Sequence, residues 1–200
     1  MKVCALTGGI ATGKSTVVEI LQHLDPNIIF FDADQSVQRF LEKENVITEI
    51  VSIFGVKVQH GDGSLNRSEL REIVFGFPER RKLLEGVLHP KVRKECLEKR
   101  DLYAKDPSAT LFVADIPLLF ESGFDFDQEL NLVVAVSETT QRSRLKDRNH
   151  FGDRMISSIL EAQLPIMEKV ALGDVVFWNE GCPSILEKQL MRFLQFITIT

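Results

Sequence analysis

Eight residues near the start of the chain, Gly8-Gly9-Ile10-Ala11-Thr12-Gly13-Lys14-Ser15, have the types and the spacing to hold a phosphate. Glycines let successive backbone N–H groups curl around an anion with no Cβ in the way. A helix opening near Gly13 turns its positive end toward the same anion. Lys14 reaches the β- and γ-phosphates, Ser15 offers a hydroxyl to Mg2+, and Thr16 follows it. So short a frame occurs by chance, and its surroundings must decide. Here it follows a predicted strand and opens a predicted helix, which points to a nucleotide-phosphate site for ATP and Mg2+.

Acidic residues form a second set. Asp32 and Asp34 stand at the end of one predicted strand, and Asp115 at the end of another. Ligands of open parallel sheets sit beyond the carboxyl ends of the strands. A carboxylate there binds Mg2+ or takes the proton of an attacking hydroxyl. If the first strand continues through Asp34, both of its carboxylates share one side. The alternative for each aspartate is to cap the helix that follows.

A third set is basic: Arg142, Arg144, Lys146, Arg148 and Arg154. Arg144 and Arg148 are four apart and share a helix face. Phosphoryl transfer needs cations around the transferring group, which a mobile arginine-bearing lid supplies. The competing reading is a solvated surface helix. His23, His60 and His150 are isolated and read as structural or surface residues. Trp178, the sole tryptophan, could stack near an adenine or fill a rim.

These side chains need elements to carry them. Short apolar runs at 3–7, 28–31, 111–114, 130–136 and 175–177 read as buried strands. Helical spacing marks 13–24, most of 35–106, 138–172 with a break at Gly152, and 183–196. Gly61 to Ser64 reads as a turn, while Pro78 and Pro90 start or interrupt helices. Strands alternating with helices predict an α/β fold, a parallel sheet covered on both faces. The stretch 35–106 exceeds a simple crossover and predicts an insertion at the sheet edge.

Two hundred residues and an ordinary apolar fraction suit one sizeable core with inserted subdomains. A net charge of −5 argues against non-specific nucleic-acid binding, which needs many cations to displace counterions. Cys4, Cys96 and Cys182 are odd in number and not paired in a metal or redox spacing, as expected of reduced thiols in the cytoplasm. No run approaches the ~18 residues of a membrane span, and no signal-peptide pattern precedes the first strand. The apolar tail 190–200 reads as a docked helix.

Taken in order, the phosphate loop, Asp32-Ala33-Asp34, Phe54-Gly55, Asp62 to Arg67, His89-Pro90, Asp115 to Glu121, Gln141, Arg144-Leu145, Arg148, Gln163 and Asn179 to Gly181 resemble the dephospho-CoA kinases over nearly the whole chain. The resemblance implies a three-layer P-loop kinase fold with a five-stranded parallel sheet. Its core would be 1–34, 107–137 and 173–200, with a helical CoA-binding insertion over about 35–106 and a helical lid over about 138–172. It implies transfer of the ATP γ-phosphate to the 3′-hydroxyl of dephospho-CoA, in a monomer or small homo-oligomer. Asp34 matches the family's general base, with Lys14, Arg144 and Arg148 assisting. Gly8 to Thr16 and Asn179 would bind ATP. Asp32, His89, Leu118, Leu119 and Glu121 would border the acceptor, and Ser15 and Asp115 would serve the metal.

Three departures from the family matter: Ile159 stands where Arg is frequent, Trp178 where Asp is usual, and the pair Ala11-Thr12 where Gly-Ser is common. The rival readings are a nucleoside or nucleotide kinase of the same architecture and a P-loop switch acting through a protein partner. A binding module without catalysis is opposed by the presence of Lys14, Ser15 and Asp34 together.

Overall fold

A computed structural model describes residues 1–149 and 151–199. His150 and Thr200 therefore lie outside the described residues, including the histidine read above as structural or surface.

The chain runs β1 (Lys2–Gly8), α1 (Lys14–Leu24), β2 (Ile28–Asp32), α2 (Ala33–Phe40), α3 (Glu44–Phe54), a 3-10 turn (Val56–Val58), α4 (Arg67–Val74), α5 (Pro78–Tyr103), β3 (Leu111–Asp115), α6 (Leu119–Ser122), β4 (Leu130–Ala135), α7 (Glu138–Asn149), α8 (Asp153–Glu161), α9 (Ile166–Leu172), β5 (Val175–Trp178) and α10 (Pro183–Ile199). The strands form one five-stranded parallel sheet in the order β2-β3-β1-β4-β5.

Register puts Leu6 beside Asp115 and Gly8 beside Val134, so the phosphate loop leaves the sheet from its central strand. Both faces of that sheet are covered. Cys4, Leu6, Leu111, Val113, Leu132, Val134 and Phe177 point to one side, where they pack with Val17 and Leu21 of α1 and with Leu186, Leu190 and Phe193 of α10. The alternate residues Ala5, Phe112, Ala114, Val133 and Ala135 are equally buried. Strands apolar on both faces are what a parallel sheet needs between two helical layers.

Two compact units emerge, residues 1–31 with 99–200, and residues 32–98. The second has its own core of Val46, Ile47, Ile50, Val58, Leu65, Leu70, Val87 and Leu88. It begins at Asp32, the last residue of the edge strand β2. Pro90 corrects one expectation, because it lies inside a continuous α5 rather than starting or interrupting a helix. A proline there removes one hydrogen bond and frees the carbonyl four residues earlier. That residue is Gly86, which is exposed, so the freed carbonyl faces a hydrated turn.

The Asp32–Asp34 expectation changes too. The strand stops at Asp32, whose side chain caps α2 by accepting from the Gln35 N–H at 2.9 Å. Asp34 therefore sits on the first turn of a helix, and strand alternation does not apply to it. A satisfied N-cap stabilises the helix by about 1 kcal/mol, reason enough for the strand to end there.

Candidate active site: a clamped phosphate loop

Three glycines of the loop are there because a side chain would collide. A Cβ on Gly8 would lie 2.5 Å from the Val134 carbonyl oxygen. One on Gly9 would strike the Gln141 amide, and one on Gly13 would strike the Asn179 amide. Gly13 also has φ +92°, a left-handed conformation that other residues adopt only with strain. Ala11 takes φ +60° without being glycine. The departure from the family at this position therefore carries a backbone cost.

The loop is held by side chains from outside it. Gln141 Nε2 donates to the Ile10 carbonyl at 2.7 Å, and Gln163 Oε1 accepts from the Ile10 N–H at 2.9 Å. Arg144 donates to the carbonyls of Ala11 (3.1 Å), Thr12 (3.4 Å) and Asn179 (2.8 Å). Asn179 Nδ2 donates to the Thr12 carbonyl at 2.9 Å, and the Thr12 hydroxyl donates to the Gly9 carbonyl at 2.8 Å. With its carbonyls drawn to these donors, the loop is stiffened before any ligand arrives. Preorganised donors stabilise developing charge because they need not reorient during reaction.

Beneath the loop is a lysine that the motif reading missed. Lys169 is wholly buried, and its Nζ lies 2.7 Å from Glu121 Oε1, 3.0 Å from the Pro117 carbonyl and 3.4 Å from that of Gly8. Glu121 Oε1 also accepts from the Leu164 N–H at 3.0 Å. Burial pushes the Lys169 pKa down, the Glu121 carboxylate pulls against that, and nearby Lys14 adds to the lowering. The signal in the sequence was a charge on an apolar face: in α9, Lys169 stands three residues after buried Ile166. Gln141 and Leu145, four apart in α7, are both buried, so an otherwise polar helix covers one face.

The structure gathers Gly8 to Thr16, Gln141, Arg144, Gln163, Lys169 and Asn179 around one loop. Arg144 and Asn179, expected as a lid cation and an adenine neighbour, are both engaged by backbone carbonyls. Arg148 and Arg154 are exposed, and Ile159 is half-buried. Ser15 is exposed on the first turn of α1, and Asp115 ends β3 beside the central strand. Leu118 is 40% exposed, whereas Leu119 is buried at 2%. Asp32, Asp34 and His89 belong to the 32–98 unit; Asp34 is exposed and His89 half-buried in α5. Trp178 is partly exposed at the end of β5, its N–H and carbonyl both bonded to the Gln189 amide.

Residues 2–184 match the family model described as dephospho-CoA kinase. The chain belongs to the dephospho-CoA kinase family. A dephospho-CoA kinase of Bacillus thuringiensis is 38% identical over 194 residues, 96% of each chain. Among solved structures, a protein from Thermus thermophilus superposes with a TM-score of 0.80 at 31% identity, covering 98% of this chain and 97% of that one. A dephospho-CoA kinase from Campylobacter jejuni superposes with a TM-score of 0.64 at 25% identity, with coverage of 98% and 97%. The expected P-loop kinase architecture is thus met. The likeness to the dephospho-CoA kinase family is not confined to the phosphate loop, since the matched span runs through the whole of the 32–98 unit.

Proposed function

We propose that this protein transfers the γ-phosphate of ATP to the 3′-hydroxyl of dephospho-CoA, giving CoA and ADP in the last step of CoA biosynthesis. The observation that carries this reading is the family match from 2 to 184, which includes the unit between β2 and β3. A phosphate loop alone would fit any small-molecule kinase; the acceptor unit separates them.

ATP lies on Gly8 to Thr16, with Lys14 on the β- and γ-phosphates. Arg144 and Asn179 keep the loop's carbonyls turned away from the anion. Asp34 orients the 3′-hydroxyl and takes its proton as the new P–O bond forms. The bond from the γ-phosphorus to the bridging oxygen breaks, and ADP leaves with the electron pair. Asp32, His89, Leu118 and Leu119 recognise the acceptor. Buried Leu119 does so by seating the 118–121 segment, whose exposed member is Leu118. Glu121, expected beside them, is taken up by Lys169 and the Leu164 N–H instead. Arg148 supplies positive charge from α7.

Ser15 and Asp115 offer a hydroxyl and a carboxylate, hard oxygen donors that suit Mg2+ sharing its shell with phosphates and water. When bound, that ion neutralises charge on the β- and γ-oxygens. Cys4 and Cys96 are buried and Cys182 is exposed, and none of the three is in a disulfide. Burial pushes the Cys4 thiol up to about 12, which keeps it protonated and inert. Cysteines outside disulfides fit a cytoplasmic enzyme, here a monomer or small homo-oligomer. No helix among the described residues is long and apolar enough to cross a membrane.

The test is ADP release with Mg·ATP and, in turn, dephospho-CoA, adenosine, AMP or no acceptor, with the product weighed by mass spectrometry. Turnover confined to dephospho-CoA, with one phosphate added, is expected. Turnover on another acceptor alone would leave only the phosphate site standing. Acceptor-independent hydrolysis would favour the switch.

A further inference from the structure

Four contacts close into a ring. Lys169 holds the carbonyl of Gly8 and the carboxylate of Glu121. The same carboxylate oxygen holds the N–H of Leu164. The neighbour of Leu164 is Gln163, whose side chain accepts from the N–H of Ile10. Both ends of the ring therefore land on the phosphate loop, two residues apart.

We propose that Lys169 and Glu121 are positioning residues for phosphoryl transfer, fixing the Gly8–Ile10 half of the loop against the joint between α8 and α9. Neither touches the reacting atoms. Lys169 sets the direction of the Gly8 carbonyl, and hence the tilt of the peptide that follows. Glu121 locks the joint so that Gln163 reaches Ile10. The arrangement is expensive to build, because a fully buried ammonium loses its hydration and regains it only through these three acceptors. A fold needing nothing but packing at this spot would be served as well by apolar side chains of the same volume. Pro117 strengthens the point, since its carbonyl accepts both from Lys169 and from the Thr7 hydroxyl, at 3.0 and 3.1 Å. The end of β1, the 115–121 segment and α9 thus meet at one cation.

The inference rests on the kinase reading, so its test carries a nucleotide-binding readout that needs no acceptor. Three variants are compared: Lys169→Met, Glu121→Ala and the double Lys169→Met/Glu121→Leu. For each, thermal midpoint, Mg·ADP affinity by calorimetry, kcat, and KM for both substrates are measured.

The double variant should melt within a few degrees of the wild type, because an apolar pair fills the slot. Its kcat/KM for ATP should nevertheless fall on the order of 10²-fold, the cost of misplacing a reacting group by about 1 Å. Its KM for the acceptor should stay unchanged. Lys169→Met alone, which leaves the largely covered Glu121 carboxylate without its cation, should melt lowest while losing no more activity than the double variant. Glu121→Ala keeps the grip on Gly8 but frees the joint; kcat should drop roughly tenfold with Mg·ADP affinity within about threefold.

Wild-type kcat/KM in the double variant would overturn the proposal, as would an activity loss matched by an equal loss of thermal midpoint. A rise confined to the acceptor KM would overturn it too, since Glu121 would then serve the acceptor instead. Should the double variant not fold, wild-type kcat in Glu121→Ala would overturn it by itself. If the wild type fails to phosphorylate dephospho-CoA, the reaction assignment falls, while calorimetry still tests the loop: Mg·ADP affinity in the double variant should fall on the order of tenfold, and wild-type affinity there would overturn the proposal.

Discussion

Asp34 and Ala11 pose opposite questions at the scale of single residues. Asp34 is exposed on the first turn of α2, where Asp32 already supplies the cap. Its use should therefore show in rate. Asp34→Asn is expected to cut kcat by about 10²–10⁴-fold, the usual worth of general-base assistance, with nucleotide affinity nearly intact. Near-normal turnover would remove it from the mechanism. Ala11 is the reverse case, a residue whose cost lies in the backbone. At φ +60° it bears a left-handed strain of about 1–2 kcal/mol that glycine would not. Ala11→Gly also loosens the unfolded chain by roughly 0.4–1 kcal/mol. The net gain should be on the order of 0.5–1 kcal/mol, read as a thermal midpoint about 1–4 °C higher. A lower midpoint would show that Arg144, bonded to the Ala11 carbonyl, already relieves the strain.

Elements here are joined by a few polar ties between their apolar faces. α7 is polar apart from Leu145, yet it presents Gln141, Arg144 and Leu145 inward and so becomes a splint for the loop. Within the 32–98 unit, α2 and α5 are tied by Glu95. It accepts from the buried Ser36 hydroxyl and pairs with Arg39 at 2.8 Å. Burial pushes the Glu95 carboxyl up, but the Ser36 and Arg39 bonds outweigh it and hold the pKa below its ordinary 4.5. A carboxylate depressed in the folded state adds stability that is complete above its unfolded pKa and lost as pH falls through the folded one. The wild type should therefore melt above Glu95→Gln at pH 7, and the gap should close as pH drops below about 4.5. A gap that stays constant with pH would mean packing rather than charge holds the tie. Glu95 is partly exposed, so the effect is modest.

For the molecule as a whole, a ligand that binds only the folded chain raises its stability by mass action. Mg·ADP at a hundredfold its Kd adds about 2.7 kcal/mol. For a chain of this length that corresponds to a thermal shift of roughly 5–11 °C. Lys14→Ala should fold normally, since Lys14 is half-exposed on α1, yet show no shift at that concentration. A full shift in the variant would contradict the placement of the phosphates on the loop.

Residue order alone was enough for the phosphate loop, the alternation of buried strands with helices, the helical stretch between β2 and β3 and, through ordered motifs, the family. These are local or periodic properties: a glycine spacing, a run of apolar residues, a cap. How the loop is held is a property of the folded chain. Gln163 and Lys169 reach Ile10 and Gly8 from 153 and 161 residues away, and no local pattern records such a pairing. Arg144 and Asn179 hold carbonyls because their partners converge only once β5 and α7 flank the loop. That Asp32 ends its strand as a cap, and that Pro90 is tolerated within α5, likewise emerged only in three dimensions. The physical reason is common to all of these. A side chain's chemistry is written in its type, but whether it serves a ligand or a neighbouring backbone depends on what the fold brings within hydrogen-bonding reach.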